Sequence, residues 1–357
     1  MFRTVALTLL LVVSARAESA VYKDAAFIEL FRRTNGVVAC DGGFTVPLSD
    51  GRTLWLFGDS YVDCYRDGTV PCLFQVRNAA MAHRNNDLSN VQALLGKGPG
   101  FKSLFKNSTN QETWFWPVAG FQHKDTVLIY LSGLKRAGSG PLGFASAEQD
   151  YWGQMSFPEL NVTGYLPLPK FNGIDFGTGL VQEAGAEFVY AFGQKRKGIS
   201  LSIYLARFRA AEPAATWAFW DGKGWSANVT NASPVTTQDA TSISVCKVNG
   251  KYLLTSSQFS VGCDQGKEIY MSVSDTAGGP FSSRKKIFTI DDTNEGHYPF
   301  FYLPVAHPQF INAKNELLVT YCINGYEPCV RNCNNGRMNP DHYRPRAIRV
   351  PLDIALK

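Results

Sequence analysis

Charge is scarce in this chain: Asp, Glu, Lys and Arg make up only 18% of its 357 residues, against 45% hydrophobic. That balance excludes an intrinsically disordered protein and leaves material for a large core. Basic runs are lacking as well, apart from the short Arg284-Lys285-Lys286. The formal net charge of +5 falls by two once Arg3 and Arg16 leave with a leader, so nucleic acid is not an expected partner. Beyond the N-terminus nothing approaches the roughly 18 uninterrupted apolar residues of a membrane helix, and no membrane span is expected. No Ser/Pro/Gly-rich linker separates two cores, which favours one domain. Dinucleotide, P-loop and haem-attachment motifs are absent, so no cofactor is called for, although an ion in a central channel is left open.

What is present begins with a targeting segment. Arg3 supplies a small positive region, residues 5–13 are apolar but too short to span a bilayer, and Ala15-Arg16-Ala17 is an A-x-A cleavage site. The reading is a signal peptide over residues 1–17, a mature domain over 18–357, and a secreted or extracytoplasmic product. In such a product the eight cysteines, Cys40, Cys64, Cys72, Cys246, Cys263, Cys322, Cys329 and Cys333, are expected to pair. Spacing alone does not choose the pairs. Cys64 with Cys72 and Cys246 with Cys263 would close local loops, while the trio Cys322, Cys329 and Cys333 could tie the end of the chain to Cys40. Cys329 and Cys333 alone are a weak zinc signature, and no metal site is assigned. Asn107, Asn161, Asn228 and Asn231 begin N-x-S/T sequons, which would make a glycoprotein in a eukaryotic secretory pathway.

The strongest pattern is a recurring hairpin. Apolar runs begin at Leu54, Val127, Phe188, Tyr252 and Leu317, spaced 61 to 73 residues apart, each preceded by a turn and another apolar run. The turns include Ser49-Asp50-Gly51 and Val248-Asn249-Gly250, whose Gly, Asn and Asp tolerate positive φ. Their flanks are rich in Val, Leu, Phe, Tyr and Trp, and no helical period competes. A repeat this long, made of strands, predicts an all-β, five-bladed β-propeller of about four strands per blade. The last hairpin is followed by one more strand candidate, Arg346-Ala347-Ile348-Arg349-Val350, leaving the fifth blade a strand short. Residues 27–31 are expected to supply it and so close the ring with an N-terminal strand.

In a propeller the innermost strands surround a channel, and residues at its mouth converge. Those positions are Asp41, Trp116, Asp175, Asp239 to Ser242, and His307. Carboxylates beside aromatic faces suit carbohydrate chemistry. With Gly51 left-handed in a three-residue loop, Phe44 faces Leu56, Val46 faces Leu54, and Asp41 falls opposite Asp59, with Cβ atoms about 4.5 to 5.5 Å apart. Two carboxylates so placed raise at least one pKa. The bland alternatives are that Asp59 caps a turn, Asp175 enters a strand from a loop, and His307 is a buried histidine bonded to backbone. Trp116 reads as a sugar platform, since Trp114 and Phe115 already supply bulk.

Asp41-Gly42-Gly43-Phe44 through Gly58-Asp59-Ser60, then Trp116-Pro117, Phe176-Gly177-Thr178, Gly279-Pro280-Phe281, Ala306-His307-Pro308 and Tyr343-Arg344-Pro345-Arg346 form a series. In that order they resemble the family labelled domain of unknown function 4185, which includes endo-D-arabinanases. The resemblance implies a five-bladed propeller related to glycoside hydrolase family 43, with a carboxylate base on blade one, a second carboxylate tuning pKa, and an acid on blade three. Asp41 matches the first and Asp175 the third. Relatives carry an acidic residue shortly after the blade-two Trp-Pro, where this chain has Val118-Ala119-Gly120, so Asp59 is the candidate for the tuning role.

The expected function is therefore a monomeric, secreted glycosidase that cleaves a polysaccharide such as arabinan. Asp41, Asp59 and Asp175 are its catalytic candidates. Trp116, His307, Asp239 and Ser242 are its substrate-binding candidates. The alternative is a carbohydrate-binding propeller without turnover. A sialidase reading is weaker, because Ser274-Asp275-Thr276-Ala277-Gly278-Gly279 only partly echoes its repeated turn.

Overall fold

The computed structural model of the chain describes residues 20–107, 110, 112–138, 143–183, 185–325, 329 and 333–357. The expected leader lies outside them, as do the second and third residues of the Asn107 sequon.

Strands dominate. A first antiparallel sheet runs Val37–Pro47, Arg52–Val62, Ala79–Arg84 and Gln92–Leu94, and a second runs Thr113–His123, Thr126–Arg136, Tyr151–Ser156 and Val162–Pro167. Third comes the run Asp175–Gln182, Phe188–Lys197 and Ser200–Arg209, joined edge to edge to a fourth set, Pro234–Val248, Lys251–Gln258, Glu268–Ser274 and Lys285–Thr289. The fifteen-residue strand Pro234–Val248 makes that join. Its first residues pair with Ser200–Tyr204, then after a bulge its later ones pair with Lys251–Gln258. A further sheet holds Phe300–His307, Glu316–Asn324, Arg346–Pro351 and Tyr22–Lys23.

The first hairpin folds as its turn chemistry requires. Leu48 N–H donates to Arg52 C=O at 2.8 Å, Gly51 takes φ +82°, and the ladder sets Phe44 against Leu56 and Val46 against Leu54. Asn249 and Gly250 both have positive φ in the tight turn of the fourth sheet, as a type I′ hairpin demands.

Apolar side chains fill the spaces between successive sheets. Leu54 and Leu56 meet Val127 and Ile129; Tyr130 and Trp152 meet Phe176 and Phe208; Phe192 and Ile203 meet Ile243 and Leu254. Leu253 and Ile269 then meet Leu317 and Val319, while Trp55 and Phe57 meet Leu318 and Ala347. A strand buried on both faces carries a continuous apolar run, which is why Leu54 through Phe57 shows no alternation. The innermost strands also touch in order. Ser49 N–H donates to Gln122 Oε1 at 2.8 Å, a Cβ on Gly177 would crowd Val118, one on Gly179 would collide with Val245 C=O, and Ser244 Oγ donates to Pro304 C=O at 2.8 Å. The last and first sheets are bridged by Thr45 Oγ1 and His307 Nδ1 at 2.8 Å.

Residues 27–31 are not the expected strand. Ala25–Leu30 forms a short helix, because the Asp24 carboxylate accepts from the Ala26 and Phe27 N–H groups and caps it. Phe27, Leu30 and Phe31, three and four residues apart, face inward onto Trp55, Phe57 and Phe310. The strand paired with Arg346–Pro351 is instead Tyr22–Lys23, through Tyr22 with Arg349 and Lys23 with Ile348.

The cysteines also pair differently. Disulfides join Cys72 to Cys333 and Cys263 to Cys329, and Cys40, Cys64, Cys246 and Cys322 are free thiols. Neither expected local loop forms, and Cys40 takes no bridge from the C-terminal trio. Cys322 instead satisfies Gly42 from both sides, accepting from its N–H and donating to its C=O at 3.3 and 3.2 Å.

Candidate active site

Asp41 owes its position to the two glycines that follow it. Gly42 and Gly43 have φ of +97° and +99°, and the ladder slips twice there, pairing Cys40 with Ser60, Gly42 with Phe57 and Phe44 with Leu56. Such bulges re-aim a side chain. No ladder pair joins Asp41 to Asp59, contrary to the expected direct opposition; the two carboxylates approach through the bulge. The approach needs Gly58, since a Cβ there would collide with Asp41 Oδ1. Asp41 Oδ2 accepts the Tyr302 hydroxyl at 2.8 Å. Burial still holds the Asp41 pKa above the usual carboxylate range, against the hydroxyls of Tyr343 and Tyr302 that stabilise its anion.

Asp59 is buried, and burial followed by the Asp41 charge pushes its pKa to about 7. Arg77 opposes that shift from 3.4 Å, with its guanidinium held over the Trp114 and Phe74 rings at 4.1 and 4.8 Å. The Trp116 indole N–H lies 3.5 Å from Asp59 Oδ1, and its ring packs edge-on against Phe144.

Asp175 opens the innermost strand of the third sheet. Ser132 Oγ donates to its Oδ1 at 3.1 Å, while burial and the charge of Asp150 raise its pKa to about 6. Asp150 is bound in the same stretch of chain, accepting from Tyr130 O–H and Gly133 N–H at 2.8 Å each. Sequence reasoning missed it. It immediately precedes the strand Tyr151–Ser156, which is not the innermost of its sheet, and the hairpin repeat gives such a position no prominence. Arg77 and Tyr302 were missed for the same want of a pattern.

Asp41, Asp59, Asp150 and Asp175 all line one cavity of about 1000 Å³, together with Trp116, Ser242 and Tyr302. Ser242 Oγ accepts from Leu303 N–H at 2.7 Å and sits 3.1 Å from Ser257 Oγ. Two expected members stand elsewhere. Asp239 is exposed where the third and fourth sheets join, beside Ser200 Oγ. His307 is fully buried between Thr45 Oγ1 and Thr320 Oγ1, each 2.8 Å away, and burial lowers its pKa to about 3. It is a neutral packing histidine against Trp55, and it lines no part of the cavity. Among the described residues no group of three or more His, Cys, Asp or Glu could hold a metal ion. Carboxylates of unequal proton affinity around an aromatic-walled cavity can deliver a proton on one side and accept one on the other.

Residues 24–351 match the family model described as Domain of unknown function (DUF5005). The chain belongs to that family. The likeness to domain 4185 rests on the motif series alone. No curated protein shows significant sequence similarity to this DUF5005 chain. Among solved structures it is similar to a Bacteroides ovatus protein classed provisionally as a hydrolase, at TM-score 0.73 and 17% identity over 92% of this chain and 89% of that one. A Bombyx mori family 32 β-fructofuranosidase in complex with sucrose gives TM-score 0.50 and 11% identity, covering 90% of this chain and 63% of that one. An exo-β-1,3-galactanase from Phanerochaete chrysosporium gives 0.47 and 11%, covering 88% and 61%. The likeness to the β-fructofuranosidase shows that the fold is one found in a glycoside hydrolase.

Proposed function

We propose that this DUF5005 protein is an exported, monomeric glycosidase built as a five-bladed propeller, hydrolysing glycosidic bonds of a polysaccharide such as arabinan or another furanoside. The observation that carries the reading is the single cavity shared by Asp41, Asp59 and Asp175 with Trp116 on its wall. The cyclic succession of inner-strand contacts supports a closed ring, and the two disulfides support export. Asp41, whose anion is stabilised by the Tyr302 hydroxyl, activates the attacking water. Asp59 keeps the proton of the pair until about pH 7 and tunes Asp41. Asp175, protonated up to about pH 6, protonates the leaving oxygen. Trp116 stacks on a sugar face and Ser242 meets its hydroxyls. Inversion or retention follows from whether acid and base stand roughly 6.5 to 9.5 Å or about 5 Å apart.

The test is a screen of the purified mature protein against polysaccharides with product analysis, followed by Asp41→Asn and Asp175→Asn. Each variant should fold normally and lose about two orders of magnitude or more in kcat. Near-normal rates in both would sink the assignment. Sugar binding without cleavage by the intact protein would establish the carbohydrate-binding reading instead.

A further inference from the structure

Two of the cations that line the large cavity have no carboxylate partner among the described residues. Arg77, beside Asp59, has its carboxylate. Arg196, near the end of the strand Phe188–Lys197, and Lys170, in the segment between Val162–Pro167 and Asp175–Gln182, also line the cavity, and no carboxylate among the described residues forms an ion pair with either. Arg196 is nevertheless held in place. Its Nη1 donates to Ala240 C=O at 3.1 Å and its Nη2 to Thr241 C=O at 2.6 Å. Those carbonyls belong to the bulge between Ala240 and Ile243, where the long strand leaves one sheet for the next. Satisfying the bulge uses two donors, and a guanidinium carries more.

Arg196 stays exposed toward the cavity, and the partial desolvation it does incur lowers its pKa at a cost that no neighbouring charge offsets. An anion delivered by a ligand would remove that cost. Arg matches the planar, two-oxygen face of such a group better than any other side chain. We propose that the cavity takes a glycan bearing an anionic group, a uronate carboxylate or a sulfate ester, received by Arg196 with Lys170 as a second cation of the same cavity. Five carboxylates, Asp41, Asp59, Glu148, Asp150 and Asp175, line the same cavity, so an anionic sugar enters only if cations offset them locally. The raised proton affinities of Asp59 and Asp175 reduce the opposing charge further.

The inference rests on the cavity being a sugar site. Its test is calorimetric titration of the Asp41→Asn protein with galacturonate and glucuronate oligosaccharides, their carboxyl-reduced counterparts, and sulfated oligosaccharides with their desulfated forms. At least one anionic probe should bind about tenfold or more tightly than its neutral counterpart. The carboxylate and sulfate arms tell which group is read. Arg196→Gln should erase that preference, and Lys170→Gln, which anchors no backbone, should narrow it. If Arg196→Gln fails to fold, Arg196→Lys and Lys170→Gln carry the test, both expected to shrink the preference. Equal binding of charged and neutral forms, binding of no anionic probe, or a preference untouched by the variants would overturn the proposal. Cleavage of a neutral glycan without anion preference would refute this proposal and leave the glycosidase reading intact. Arg196-dependent anion binding without cleavage would do the reverse.

Discussion

At the scale of single residues, the site is governed by which carboxyl keeps its proton. The Asp150 charge is, after burial, the cause that raises Asp175, and both side chains are anchored to residues 130–133 of one strand. Asp150→Asn removes that charge and lowers the proton affinity of Asp175. The alkaline limb of the kcat/KM profile should then move to lower pH, and an unmoved limb would show that Asp175 is not the acid it reports. Stability should follow the same proton. An unfolded Asp titrates near about 3.9, so between about pH 4 and 6 the folded state, with Asp175 near 6, binds more protons than the unfolded one. Its contribution to stability therefore falls as pH rises through that window, and the penalty is complete above it. Asp175→Asn escapes the penalty. It should melt higher than the parent at pH 8 and about equally at pH 4, and a gain of the same size at both would contradict the burial of a charge there. Asp41 and Asp175 were legible because inner-strand ends follow from the hairpin repeat. Asp150 and Arg196 were not, since nothing in local spacing tells which residues of outer strands and turns reach the cavity.

At the scale of elements, the strands could be read because burial on both faces leaves unbroken apolar runs between Gly and Asn turns. The long strand could not be divided in advance: no Gly or Pro marks the point near Ala240 where Pro234–Val248 changes sheets. The N-terminal helix was mistaken for a strand because its six residues are too few to show a period, and its one clear signal is the capping Asp24. That residue has a second task. Its Oδ2 accepts from Arg349 Nε at 2.6 Å, both side chains are nearly buried, and Arg349 also donates to Phe310 C=O. Asp24→Ala loses the cap and leaves a buried guanidinium uncompensated, so the loss should be about 3–5 kcal/mol from the pair and about 1 kcal/mol from the cap. Asp24→Asn keeps the cap and should lose only the former. Denaturant unfolding of the two separates the contributions, and equal losses would mean that the cap contributes nothing.

At the scale of the whole molecule, the ends of the chain are brought together twice. Tyr22–Lys23 extends the sheet formed by residues 300–351, and the Cys72–Cys333 bridge joins the first sheet's loop to the segment before the last strand across a sequence separation of 261 residues. Cysteine spacing could not choose the pairs because it carries no information about which segments the fold makes adjacent, and that adjacency decided the pairing. The free thiols are explained by their surroundings. Cys40 and Cys322 are buried beside the Asp41 bulge, where Cys322 serves as donor and acceptor for Gly42, and burial holds both thiols well above their ordinary pKa. A protonated, enclosed thiol neither attacks nor is attacked readily. Mass mapping under non-reducing, denaturing alkylation should therefore find two disulfides and four alkylated cysteines, while alkylation of the folded protein should leave Cys40 and Cys322 untouched. Cross-links that close long loops restrict the unfolded chain most, so Cys72→Ser with Cys333→Ser should lower stability by a few kcal/mol. Thermal melting of that double variant against the parent measures it. An unchanged melting temperature would show that the strand pairing of Tyr22–Lys23 and the Asp24 to Arg349 contact already hold the two ends together without the bridge.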